Sequence, residues 1–159
     1  MTQKKEVTIK NARTDEYAEK LKNILARGIC PFCPEHLKEF FPEEPLYQND
    51  DWYLFKNQVP IKNTLQHLLV ISKTHGTTMQ DVSIKKIGNS FFEVIAWAEE
   101  NFKIPGGAIG FRFGDMDFSA GTVSHTHAQI IVPDIHTLKE DELVIFYIGK
   151  PFKKVKNEN

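Results

Sequence analysis

The stretch GTVSHTHAQIIVP, residues 121–133, sets His125, His127 and Gln129 at every second position. In an extended strand successive side chains point to opposite faces. These three therefore share one face, and Thr126, Ala128, Ile130 and Val132 share the other, which reads as the core face. Two readings of the polar row follow: a face turned to water, which needs no function, or a row presented to a ligand. Buried without partners, each polar group would cost about 1–3 kcal/mol. The loop before the strand bears on the choice. Ser119, Ala120 and Gly121 are small and permit close approach of a substrate or backbone. Backbone N–H groups there can cradle an anion, and Thr122 and Ser124 add hydroxyl donors.

Such a row suits phosphoryl or nucleotidyl transfer. A neutral imidazole, with a pKa of about 6.5, is mostly unprotonated near pH 7. It can attack phosphorus and form a covalent intermediate. An amide such as Gln129 donates to a phosphate oxygen without any proton moving and so stabilises developing charge.

The rest of the chain supplies a frame for that strand. Residues 1–12 read as a flexible leader. Thr14 can cap a helix carrying Tyr17, Leu21, Ile24 and Leu25 at helical spacing, with Gly28 ending it. ICPFCPEHLKEFFPEEP is broken by its prolines and allows only a short helical turn. DWYLFKN (51–57) alternates as a strand, and HLLVIS (67–72) is a continuous apolar run suited to a central strand. Residues 82–102 form the clearest helix, with Ile84, Ile87, Phe91, Val94, Ile95 and Ala98 on one face. GAIGFRF (107–113) is a further strand, and DELVIFYIG (141–149) is either a last strand or an apolar segment packed on the sheet. The expected fold class is α+β: a mostly antiparallel sheet of about five strands with two principal helices on one side.

The chain has 159 residues, 41% of them hydrophobic, which fits one domain over residues 13–150. A net charge of −1 gives no ground for a nucleic-acid or membrane-surface binder. Residues 151–159 read as a solvated basic tail, with Lys150, Lys153, Lys154 and Lys156 clustered around it. No run of 18 apolar residues and no apolar leader point to a membrane or to export, so the expected location is cytoplasmic. The two cysteines, Cys30 and Cys33, are spaced C-x-x-C, which in a reducing compartment suits a metal or redox pair better than a staple.

HTHAQII resembles the signature of the histidine-triad (HIT) superfamily, His-φ-His-φ-His-φ-φ, with Gln129 in the place of the third histidine. The His-x-His-x-Gln form is similar to the branch of galactose-1-phosphate uridylyltransferases and dinucleoside tetraphosphate phosphorylases. DWYLFKNQVPIKNTLQHLLVISKTH (51–75) resembles the family's strand, loop and strand, and CPFC its N-terminal zinc half-site. The resemblance implies a HIT-like fold with His127 as nucleophile and Gln129 on the non-bridging oxygens of the α-phosphate. Thr122 would contact phosphate or leaving group, and Asn57 the ribose hydroxyls; Gly121 and Ser124 join as candidate substrate-binding positions. Two positions depart from the family pattern. Its usual asparagine is replaced by Gly114, followed by Asp115, and Ala120-Gly121 precedes the Ser/Thr. Arg112 and Asp115 are the nearby candidates to substitute.

A tetrahedral zinc site needs two ligands besides Cys30 and Cys33. The resemblance implies His75 and His125, with His36 as a rival ligand and a pair of reduced thiols in a turn as the alternative to any metal. His67 reads as a cap at the start of a strand, without chemistry, and His136 as a loop residue. The function so implied is a nucleotide hydrolase or nucleotidyltransferase, working as a homodimer through a nucleotidyl-histidine on a nucleoside phosphate ester, anhydride or phosphoramidate. The alternative is a zinc-stabilised nucleotide-binding or scaffold module with little turnover.

Overall fold

The computed structural model describes residues 5–82 and 84–149, with the backbone alone at 84–87. Residues 1–4, 83 and the basic tail, together with the Ile84 and Ile87 side chains, lie outside that description.

Helix α1 runs Asp15–Arg27, and its ends follow from its end residues. Thr14 Oγ1 accepts from the Tyr17 N–H at 3.1 Å, meeting one of the donors a helix start leaves unpaired. Gly28, at φ 62°, turns left-handed and donates its N–H to Leu25 O, which closes the helix. Cys33 then stands at the N-cap of α2 (Pro34–Phe40), with Pro34 in the first turn, where a missing N–H costs nothing. Strands β1 (Tyr47–Gln48), β2 (Trp52–Lys56) and β3 (Thr64–Ser72) precede helix α3 (Ile84–Phe102). Strand β4 (Ala108–Arg112), the single-turn α4 (Met116–Ser119) and β5 (His127–Pro133) complete the set. The sheet is antiparallel throughout, in the order β1-β2-β3-β5-β4.

The α+β class and the five antiparallel strands are as expected from sequence, with three corrections. The two long helices lie on opposite faces, not on one. Leu21 and Ile24 of α1 join Phe55, Leu69 and Ile71 in one core, while Phe91, Val94 and Ala98 of α3 join Leu54, Leu68, Val70, Ala128 and Ile130 in the other. β3 and β5 are covered on both sides, which is why β3 reads as a continuous apolar run. The fifth strand is the two-residue β1, and 141–149 forms no strand. That segment packs over one face of β4, with the Phe146 ring against Gly110, where a Cβ would come within 2.5 Å of it. Finally, residues 5–12 are not a loose leader. Val7 is fully buried and bridges Val123, and Thr8 N–H and Ser124 N–H bond to Thr122 O and Glu6 O. Polar spacing hid this, because a single buried Val is enough to seat a short bridging segment.

Candidate active site and metal cluster

Register decides which side chains meet. Across the centre of the sheet Ile71, His127 and Arg112 are direct neighbours, and so are Leu69, Gln129 and Gly110. Opposed residues share a face. His127, Gln129 and Arg112 therefore stand on the α1 side, together with His67 of β3. Asn57, just past the end of β2, joins them through its N–H bond to His67 O. The face is not open to bulk water: His127 is 4% and Gln129 8% exposed. Both line a cavity of about 1010 Å3 that Asn57, Thr122, Tyr17, Phe32 and Arg112 also line. Its charge is one-sided. Among the described residues Lys10, Arg13, Lys62 and Arg112 line it against one carboxylate, Glu142, in a chain of net charge −1. Among the described residues neither arginine has a carboxylate within 4.0 Å. Burial and the neighbouring Arg13 charge pull Arg112 down to about 10.

The tautomer of His127 follows from one contact. Its Nδ1 lies 2.6 Å from the carbonyl of His125, and a carbonyl only accepts, so Nδ1 carries the proton. The lone pair is then on Nε2. Burial pulls its pKa down to about 4, with the Arg112 charge adding to the effect and the His125 bond opposing it. The ring is neutral at pH 7. Phe32 packs edge-on against it, ring centres 5.2 Å apart.

His125 does different work. It lies just before β5, because Thr126 is fastened instead to the exit of β3: its N–H and Oγ1 both donate to Gly76 O. His125 Nε2 is 2.8 Å from Ser72 O and so donates, leaving the Nδ1 lone pair facing the cysteines. His125 Nδ1 is 3.4 Å from Cys30 Sγ and 3.8 Å from Cys33 Sγ, and His75 Nδ1 is 3.1 Å from Cys33 Sγ. The four ligand atoms lie within 4.8 Å of one another, a group that could hold a metal ion. For tetrahedral zinc, S and N ligands stand about 3.6 Å apart, so the spacing and the donor set fit. An outer carboxylate fits as well. Glu6 Oε2, buried and without a hydrogen bond, is 3.8 Å from His75 Nε2. His36, on α2, is not in the group.

The other expected positions divide. Thr122 lines the cavity, its hydroxyl 2.9 Å from Tyr17 Oη. Gly121 and Ser124 do not line it: Gly121 O accepts from Asn11 Nδ2 at 2.7 Å, and Ser124 is tied to the N-terminal segment. Asp115 caps α4 by accepting from Asp117 N–H at 2.7 Å. Two cavity residues, Arg13 and Tyr17, went unread in the sequence, as did the contact of His67 with Gln129. Arg13 and Tyr17 arrive with the capped start of α1, a placement no local pattern signals. His67 could have been found, as a histidine on the same parity as Leu69 and Ile71 in an otherwise apolar strand.

No protein-family model and no curated protein matches the sequence. Solved structures do. A histidine triad nucleotide-binding protein from Candida albicans aligns at 21% identity over 74% of this chain and 80% of that one, TM-score 0.54. A HIT family hydrolase from Clostridium thermocellum aligns at 20% identity over 67% and 91%, TM-score 0.50. A hypothetical protein from Leishmania major aligns at 21% over 76% and 81%, TM-score 0.51. The fold is thus HIT-like, the architecture of histidine triad proteins. At these identities the likeness is one of fold.

Proposed function

We propose that the protein is a HIT-like nucleotide hydrolase or nucleotidyltransferase. His127 Nε2 attacks the α-phosphorus of a nucleoside phosphate ester, anhydride (such as a dinucleoside polyphosphate) or phosphoramidate. The new N–P bond forms as the bond to the leaving group breaks, and that group departs with the electron pair. Water, phosphate or a sugar phosphate then attacks the nucleotidyl-histidine and frees the imidazole. Gln129 donates to the non-bridging oxygens, where negative charge persists. Thr122 contacts phosphate or the leaving group, and Asn57 faces the ribose.

The observation carrying this reading is the His127–His125 carbonyl bond, which leaves a neutral ring with its lone pair on Nε2 in a cationic cavity. The protein from Candida albicans is called nucleotide-binding and that from Clostridium thermocellum a hydrolase, in keeping with this chemistry. Cys30, Cys33, His75 and His125 would hold zinc, which when bound supplies structure: it fixes the strand entry two residues before the nucleophile. The reaction belongs to a reducing, cytoplasmic setting that keeps both thiols free. The chain works as a homodimer joined along β4, the sheet edge, where Ile109 of the strand and Phe113 and Phe118 after it are 44%, 53% and 80% exposed.

Diadenosine tetraphosphate and an AMP phosphoramidate, each with and without phosphate, test the proposal. Nucleotide release by the native protein and none by His127→Ala is the expected result. Nucleotide binding with no product from either substrate would instead favour a zinc-stabilised binding or scaffold module. That second reading draws on Gly121 and Asp115, which here serve the loop's own structure and not the cavity.

A further inference from the structure

The scheme above gives His67 no part, yet both of its ring nitrogens are engaged. Ile61 N lies 2.9 Å from Nδ1, and Nε2 lies 2.7 Å from Gln129 Oε1. A backbone N–H can only donate, so Nδ1 accepts and carries no proton. Burial holds the ring neutral, and a neutral ring without a proton at Nδ1 carries it at Nε2. Nε2–H therefore donates to Gln129. The opposite amide orientation would set two N–H groups against each other, so the contact decides a choice that shape alone leaves open. The oxygen of Gln129 is turned to His67, and its NH2 is left over. Among the described residues that NH2 has no partner.

Asn57 repeats the pattern. Its Oδ1 accepts from Val59 N–H at 2.9 Å, which leaves Nδ2 as the atom 3.2 Å from His67 Nε2. Donor beside donor makes no bond, so the Asn57 hydrogens also remain for a ligand. Asn57 and Gln129, which both line the cavity, thus have their amide oxygens engaged within the protein and their NH2 groups left for a ligand.

We infer that His67 is a positioning residue whose Nε2–H tautomer fixes Gln129 as an obligate hydrogen-bond donor, making this part of the cavity selective for acceptor-only oxyanions. The tautomer stands on contacts within the protein; the identification of the oxyanion as phosphate rests on the function proposed above.

Two measurements test it. In 15N-histidine-labelled, ligand-free protein, with His67 assigned by its loss in His67→Phe, two-bond proton–nitrogen correlations near neutral pH should show the Nε2–H form. A Nδ1–H form or a charged ring overturns the inference. Calorimetry of AMP binding supplies a double-mutant cycle. His67→Phe should weaken AMP about tenfold in the native background and by less than about twofold in Gln129→Ala. His67→Gln, whose terminal N–H reaches the place of Nε2–H, should stay within about threefold of native. Equal losses in both backgrounds, or loss in His67→Gln with an unchanged melting temperature, would mark His67 as merely structural and overturn the inference. Absence of AMP binding in every form would refute the nucleotide site, while the tautomer spectrum would still decide the donor lock.

Discussion

Removing the His127 imidazole takes away the attacking atom while leaving the cavity's cations in place. His127→Ala should therefore lower kcat by about four orders of magnitude with AMP affinity largely kept, as steady-state rates and calorimetry would show. Gln129→Ala should lower kcat about a hundredfold, the usual loss for one donor to a developing oxyanion. His67 gives a pH signature. Burial lowers its folded pKa to about 4, from the ordinary imidazole value of about 6.5. Between those values the unfolded chain binds more protons than the folded one, so stability is lost as pH falls from 6.5 towards 4 and is unaffected above. Urea midpoints should drop across that window, and less steeply in His67→Phe. Alternation alone placed His125, His127 and Gln129 on one face. It could not separate their roles, because the His125 and His127 tautomers are set by the carbonyls of Ser72 and of His125 itself.

At the scale of elements, β3 and β5 carry the account because both are covered on both faces. Leu68, at 0% exposure, sits between β2 and β5 under α3. Leu68→Ala should cost about 2–5 kcal/mol in urea denaturation through lost burial and a cavity. The Cys30–Cys33–His75–His125 group, which could hold a metal ion, ties α2, the exit of β3 and the entry to β5 together, and Phe32 between the two cysteines touches His127. Cys33→Ser or a strong chelator should therefore lower both the melting temperature and the rate, and zinc analysis of the purified protein should return about one ion per chain. The strands around the site and both long helices were legible, since each has its own period or cap. Their sides were not, because covering both faces of a sheet erases the alternation that would assign them. The packing of residues 5–12 was equally hidden: Val7, Asn11 and Arg13 act through contacts more than 40 residues away in sequence.

For the whole molecule, an open sheet edge beside exposed apolar side chains leads to the expectation of a dimer. Sedimentation should give twice the 18.3 kDa chain mass, and Ile109→Lys, on the edge strand, should shift it to monomer without lowering the helix signal in circular dichroism. A monomer at all working concentrations would remove that part of the proposal. The cavity's four cations against one carboxylate also set a whole-molecule expectation. Substrate affinity should fall steeply with salt, although net charge is only −1.

The central claim is that His127 becomes covalently bonded to phosphorus. Intact-mass spectrometry of protein quenched during turnover of diadenosine tetraphosphate tests it most directly. The expected spectrum shows a fraction of chains heavier by one adenylyl group, mapped by fragmentation to His127 and absent in His127→Ala. Turnover with no adduct under any quench, or an adduct that survives in His127→Ala, would contradict it.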